Sequence, residues 1–216
     1  MTLPELDQQM VWARLAWGVV AAAMLLSLLP VRGMKARGAA VLLAFAAMWL
    51  PGPASPAWWL GLAFQQPSAL FAALCGVSVW KRFAAHPDQQ TLPVALAAPL
   101  LLGGFVLYAD AVGALSLGLY PGGFEAPRAP VAGVVLSVLA LAVVVRGRQA
   151  AAGWAVLLAL TFHAVTHLPT GNLFDALLDP LLWLWALARC VAFAFAFVSA
   201  FVTARRRGRA AGAPTS

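Results

Sequence analysis

Long apolar runs separated by short charged segments dominate this chain of 216 residues, and the sign of the charge alternates from one gap to the next. Eleven of the fourteen basic residues fall in four stretches: Arg32, Lys35 and Arg37; Lys81 and Arg82; Arg146 and Arg148; Arg205, Arg206, Arg207 and Arg209. Six of the seven acidic residues, Glu5, Asp7, Asp110, Glu125, Asp175 and Asp179, occupy the intervening gaps. Lys and Arg in short loops are retained on the cytoplasmic side of a membrane. The alternation therefore predicts a polytopic membrane protein with its N-terminus outside and its C-terminus in the cytoplasm.

Composition agrees: 63% of residues are hydrophobic and 10% charged, against about 25% charged in a soluble domain, and the mean hydropathy is +0.87. In hydrocarbon every backbone N–H and C=O must be satisfied internally, which leaves helices or closed barrels. The runs 11–29 and 180–202 are continuously apolar rather than alternating, so helices are expected. The length holds about seven spans of roughly 20 residues, with six or eight as alternatives. The expected fold class is all-α, a transmembrane bundle forming one integral membrane domain over 1–204, followed by a basic, disordered cytoplasmic tail over 205–216. Short loops and an Ala/Leu/Arg-rich composition point to a bacterial inner membrane.

A net charge of +7 would indicate nucleic acid as the partner of a soluble chain. Here the basic residues lie where topology needs them and are not interleaved with aromatics, so the partner expected is the lipid bilayer, not nucleic acid. The run Arg205 to Arg209 reads as a stop-transfer clamp. Cys75 and Cys190 form no Cys-x-x-Cys pair and give redox chemistry no support. No cofactor is expected. The first ten residues carry Glu5 and Asp7 but no Lys or Arg, so a signal-peptide n-region is missing and the first helix is expected to stay in the mature protein.

Thr2-Leu3-Pro4-Glu5 reads as a capping box with Thr2 as N-cap, opening a first helix that runs to about Leu29. A second helix spans about Gly38 to Leu50 and ends at the Pro-rich turn 51–56. Residues Ala57 to Trp80 are either one long helix or an interfacial segment plus a short span. The single helix is favoured, with Trp58 and Trp59 in an interfacial belt and Pro67 as a kink near mid-membrane. After a loop holding His86 and Asp88, Thr91 is the expected N-cap of a helix that passes Pro99 and emerges at Tyr108 and Asp110. A Gly-rich outer loop covers 111–129. Three more helices are expected over about 130–145, 151–168 and 180–203. On the last, Ala188, Ala192, Ala196 and Ala200 form a small-residue ridge suited to a membrane-protein partner.

Arg189 is the sharpest single residue. It lies nine positions past Pro180, near the bilayer centre, where an arginine costs about 2.5 to 3.5 kcal/mol. It needs a partner, and Asp110, Glu125, Asp175 and the side chains of Gln65 and Gln66 are candidates, with Trp185 at i−4 for a cation–π contact. Gln65-Gln66-Pro67 reads as a helix break of the kind transporters use for substrate, at a depth matching Arg189 across an outward-opening cavity. Arg189, Gln65, Gln66 and Asp110 are thus the expected substrate-binding set. Of the other arginines outside the four stretches, Arg14 is assigned to Asp7 two turns away and Arg128 to a loop.

His163 and His167 share one helix face at i, i+4, as do Asp175 and Asp179. Without a His-Glu-x-x-His motif the histidines carry no complete metal set, and two on one face cannot take opposite axial positions on one haem. Asp179 precedes Pro180 and reads as an N-cap. Asp175, His163 and His167 remain candidate acid or base groups. The chain lacks a Gly-x-Ser-x-Gly elbow, a Walker loop and Asp-rich diphosphate motifs. The leading expectation is therefore a small non-enzymatic accessory or transporter-like membrane component with an outward-facing polar cavity. The rival is an outer-leaflet enzyme using Asp175, His163, His167 and Arg189 on an anionic or lipid-linked ligand.

Overall fold

The computed structural model describes residues 5–84, 90–147 and 149–211, the side chains of Val202 and of 204–211 excepted. Among the described residues the chain is all-helical, with no strand. The helices are α1 (Leu6–Leu28), α2 (Met34–Met48), α3 (Pro56–Phe64), α4 (Ala69–Phe83), α5 (Val94–Ala111), α6 (Leu119–Gly122), α7 (Arg128–Val145), α8 (Ala150–Thr166), α9 (Leu173–Leu177) and α10 (Pro180–Ala211). A 3-10 turn covers Gly52–Ala54. Four helices among the described residues are long and apolar enough to cross a membrane: α1, α5, α7 and α10 over Pro180–Phe201. α2, α4 and α8 are shorter, at 15, 15 and 17 residues.

The longer helices pack in the row α2, α1, α4, α8, α7, and α5 pairs with α10 beside it. An edge-on contact of Phe71 with Trp185, 6.2 Å between ring centres, joins α4 to α10. The crossings are lined by Ala16, Ala22, Ala97, Ala155, Ala159 and Ala186, all buried. Small side chains let helix backbones approach closely, which matters where no hydrophobic effect drives one apolar helix onto another. Gly104 shows the limit: a Cβ there would lie 2.5 Å from the Trp183 ring, whose Nε1 donates to the Leu101 carbonyl at 3.0 Å.

The charge alternation becomes two ends. At one, the Arg37 guanidinium donates to the Arg82 carbonyl and the Lys81 ammonium to the Gln90 carbonyl. At the other lie Asp110, Asp175 and Asp179 with the short helices α6 and α9.

One expectation is corrected outright. The single helix over Ala57 to Trp80 is two, α3 and α4, separated at Gln65–Ser68. Proline disfavours the α conformation in the residue before it and donates no hydrogen bond. Pro67 therefore excludes Gln66 from a continuous helix, and Gln65 leaves α3 at φ 59° and ψ −111°. Ser68 then caps α4 by accepting from the Phe71 N–H at 3.1 Å. Two boundaries also move. Glu5 is the N-cap residue of α1 rather than its third residue, without a side-chain capping bond, and Pro93 rather than Thr91 precedes α5. The expected N-cap Thr2, the loop residues His86 and Asp88, and Arg148 lie outside the described residues. The α10 backbone stays helical to Ala211, into the segment read as a tail.

Candidate functional site

The α3–α4 break is held from two sides. The indole Nε1 of Trp17, fully buried on α1, donates to the Gln65 carbonyl at 3.2 Å. From α10, Asp179 reaches back to accept the Ser68 N–H on Oδ2 at 2.7 Å while its Oδ1 accepts the Leu182 N–H at 2.8 Å. Asp179 is thus the N-cap that its place before Pro180 predicted, and it carries a second bond that the spacing did not reveal.

Asp110 builds the opposite wall. Its carboxylate accepts from the backbone N–H groups of Leu117 (2.7 Å), Gly118 (3.1 Å) and Tyr120 (2.9 Å), folding the loop over the end of α5. Asn172 ties α9 to that loop by donating from Nδ2 to the Tyr120 carbonyl at 3.0 Å. Tyr120, so positioned, donates its phenolic hydrogen to the Asp175 carboxylate at 3.2 Å, and the Thr170 hydroxyl donates to the same carboxylate at 2.5 Å. Burial lifts the Asp175 carboxyl above its ordinary range, although the two hydroxyls and nearby His163 pull the other way. Burial first, and the Asp175 charge second, push the Tyr120 phenol up to about 12, so it remains a donor at physiological pH.

Between these walls lies a cavity of about 760 Å³. Gln9 and Arg14 line it from α1, Gln65 and Gln66 from the break, and Tyr108 from α5. Tyr120, Thr170, Asp175 and Asp179 form its polar floor. Met10, Trp58, Leu62 and Phe64 also line it, and all four expose much of their apolar surface. The cavity is therefore lined by polar and apolar side chains together.

Two lining residues carry buried polar atoms with no hydrogen-bond partner, the Gln66 Oε1 and the Tyr108 hydroxyl. Leaving such a group unmet costs about 1 to 3 kcal/mol. The Arg14 guanidinium lies 5.2 Å above the Trp49 ring, and among the described residues it makes no ion pair. The assignment of Arg14 to Asp7 is corrected accordingly: Asp7 lines a separate groove between α1 and α8.

The structure brings three sequence candidates together in the cavity, Gln65, Gln66 and Asp175, beside the N-cap residue Asp179. Asp110 stands behind it, its oxygens taken by backbone. His163 and His167 have rings 6.0 Å apart, as i, i+4 spacing requires, but neither lines the cavity. His163 pairs through Nδ1 with the Leu168 carbonyl at 3.2 Å, and His167 faces the α1–α8 groove. Arg189 lies at the other end of the bundle. It donates from Nε to the Leu92 carbonyl at 3.2 Å and from Nη2 to the Gln90 side chain at 2.6 Å, so it does not face Gln65 and Gln66. The alanine ridge of α10 is exposed. Among the described residues, no three His, Cys, Asp or Glu side chains gather as a metal site would need.

No family model, curated protein or solved structure matches this chain.

Sequence reasoning missed Arg14, Tyr108, Tyr120 and Thr170 as cavity residues. Arg14 alone left a signal: like Arg189, it is a single arginine inside an apolar run.

Proposed function

We propose that this chain is a multi-pass protein of a bacterial inner membrane, N-terminus outside and C-terminus cytoplasmic, whose outward cavity binds a small polar or amphiphilic ligand. In this reading α1, α2, α4, α5, α7, α8 and α10 are the seven spans, and the protein is a non-enzymatic accessory or transporter-like component. The segregation of acidic and basic residues to opposite ends supports the orientation. The observation that carries the binding role is a cavity lined by Arg14, Asp175, Gln66 and Tyr108, the last two of which each hold a buried polar atom, Gln66 Oε1 and Tyr108 Oη, without a partner. Clefts of about 300 to 1,000 Å³ with few convergent polar groups are the usual form of small-molecule sites.

Native mass spectrometry after purification in mild detergent tests this. A non-covalent adduct of defined mass, diminished in Tyr108→Phe, is expected; a bare chain overturns the reading. Reporter fusions at 51–56 and 111–129 test the orientation, and a cytoplasmic signal from either overturns it.

One observation favours the enzymatic reading as a second possibility: Asp175, with its raised proton affinity, shares the cavity with Arg14. The two separate cleanly. If Asp175 performs chemistry, Asp175→Asn retains an unconverted substrate and its bound mass differs from that of the natural chain. If the protein only holds its ligand, the masses agree.

A further inference from the structure

We infer that the cavity takes a phosphate-ester amphiphile whose headgroup bears hydrogen-bond donors, with phosphate on Arg14, donors on the Asp175 side, and an acyl chain leaving over α3. The inference rests on the binding role proposed above and names the ligand's class.

Three observations converge. Arg14 sits eight residues into α1, about 12 Å along the helix axis at 1.5 Å per residue. An arginine at such depth faces a partner or a wet cavity, and among the described residues Arg14 meets the Trp49 ring but no carboxylate, which leaves its charge open to an anion in the cavity. The planar guanidinium matches a phosphate through paired N–H donors.

Elsewhere in the cavity the chemistry inverts. Asp175 and the unpartnered Gln66 Oε1 are acceptors, and the Tyr108 hydroxyl can accept as well. A bare phosphate would be repelled by Asp175 and would leave Gln66 unmet. A headgroup with an ammonium or hydroxyls beyond the phosphate answers both. The side chains of Met10, Trp58, Leu62 and Phe64, between 45% and 69% exposed, give an aliphatic tail an apolar exit.

The test uses the full chain in detergent micelles and reads intrinsic tryptophan fluorescence and thermal shift. The probes are lysophosphatidylethanolamine, lysophosphatidylcholine, monoacylglycerol and water-soluble glycerophosphoethanolamine. Lysophosphatidylethanolamine is expected to bind best. Lysophosphatidylcholine, which lacks donors in its headgroup, and monoacylglycerol, which lacks phosphate, should each bind at least about tenfold more weakly, the value of one charge-assisted contact. Arg14→Gln should bring lysophosphatidylethanolamine to the level of monoacylglycerol, with Arg14→Lys between, and Tyr108→Phe should narrow its advantage over lysophosphatidylcholine. Equal binding of the three lipids to the natural chain overturns the inference, whatever the variants do. Glycerophosphoethanolamine binding as tightly as the lysolipid assigns the site to a free phosphate ester and overturns the amphiphile. If no probe binds while a species of other chemistry co-purifies, the ligand class fails and the cavity's role stands. If nothing binds or co-purifies, both fall.

Discussion

The Ser68 backbone N–H donates to the Asp179 carboxylate at 2.7 Å across 111 residues of sequence, tying the N-cap of α4 to the N-cap of α10. Asp179→Ala removes this acceptor and the α10 N-cap together. Loss of a cap costs about 1 kcal/mol and an orphaned buried N–H about 1 to 3, so a destabilisation of roughly 2 to 4 kcal/mol is expected in detergent unfolding. Asp179→Asn, which keeps one acceptor oxygen, should lose about half as much. Equal stability of all three chains would show that the tie is not formed.

Asp110 organises a loop rather than a helix end. Three backbone donors converge on its carboxylate, so Asp110→Ala should release 112–120 and with it Tyr120. Hydrogen exchange at the amides of Leu117, Gly118 and Tyr120 is expected to accelerate, with a stability loss on the order of 3 kcal/mol. Unchanged protection at these amides would refute the role.

The raised proton affinity of Asp175 sets the sign of a pH effect. A carboxyl that binds its proton more tightly when folded contributes stability fully below its ordinary value of 3.8, and loses that contribution as pH rises through the folded value. Asp175→Asn carries no such proton. The melting temperature of the natural chain relative to Asp175→Asn should therefore rise on going from about pH 7 to about pH 4. A difference that stays flat contradicts the burial of this carboxylate.

Gln65 holds a positive φ of 59° without being glycine. Gln65→Gly should stabilise the fold by about 1 kcal/mol, and Gln65→Ile should destabilise it, since a β-branched residue tolerates that region least. Were α3 and α4 one continuous helix, the order would reverse, because glycine weakens a helix interior.

Arg189 bonds to Leu92 and Gln90, remote from the cavity. Arg189→Gln is accordingly expected to lower the melting temperature while leaving lysophosphatidylethanolamine binding within about twofold of the natural chain. A larger fall in affinity at unchanged stability would restore the substrate role that its depth in the sequence had indicated.

The helix order and the two charged ends were legible because proline, arginine and aspartate punctuate the apolar runs at every turn. The break at Gln65 was half legible. Pro67 marks the place, but hydropathy does not distinguish a kinked helix from two, and the deciding contacts come from Trp17 and Asp179, far away in sequence. Depth misled at Arg189, since counting residues along a helix gives height but not the direction in which a long side chain reaches. Arg14 was overlooked for the reverse reason: Asp7 was near in sequence, whereas Trp49, just past the end of the next helix, is what the guanidinium meets. Cavity walls from α1, the break, α5 and two loops meet only through tertiary packing, which no local pattern encodes.

The brevity of α2 and α4 has a consequence for the surrounding bilayer. At 15 residues each, they are about 22 Å long, against roughly 30 Å of hydrocarbon. In the seven-span reading proposed above, lipids beside the exposed α2 would thin to match, at fractions of a kcal/mol per ångström. A dimple of this kind would lower the leaflet surface next to α3, where Trp58, Trp59 and Leu62 are exposed. In such a dimple the headgroups of neighbouring lipids would descend toward the level of Arg14, and the distance that the proposed ligand must travel to enter the protein would be shortened by the membrane's own deformation.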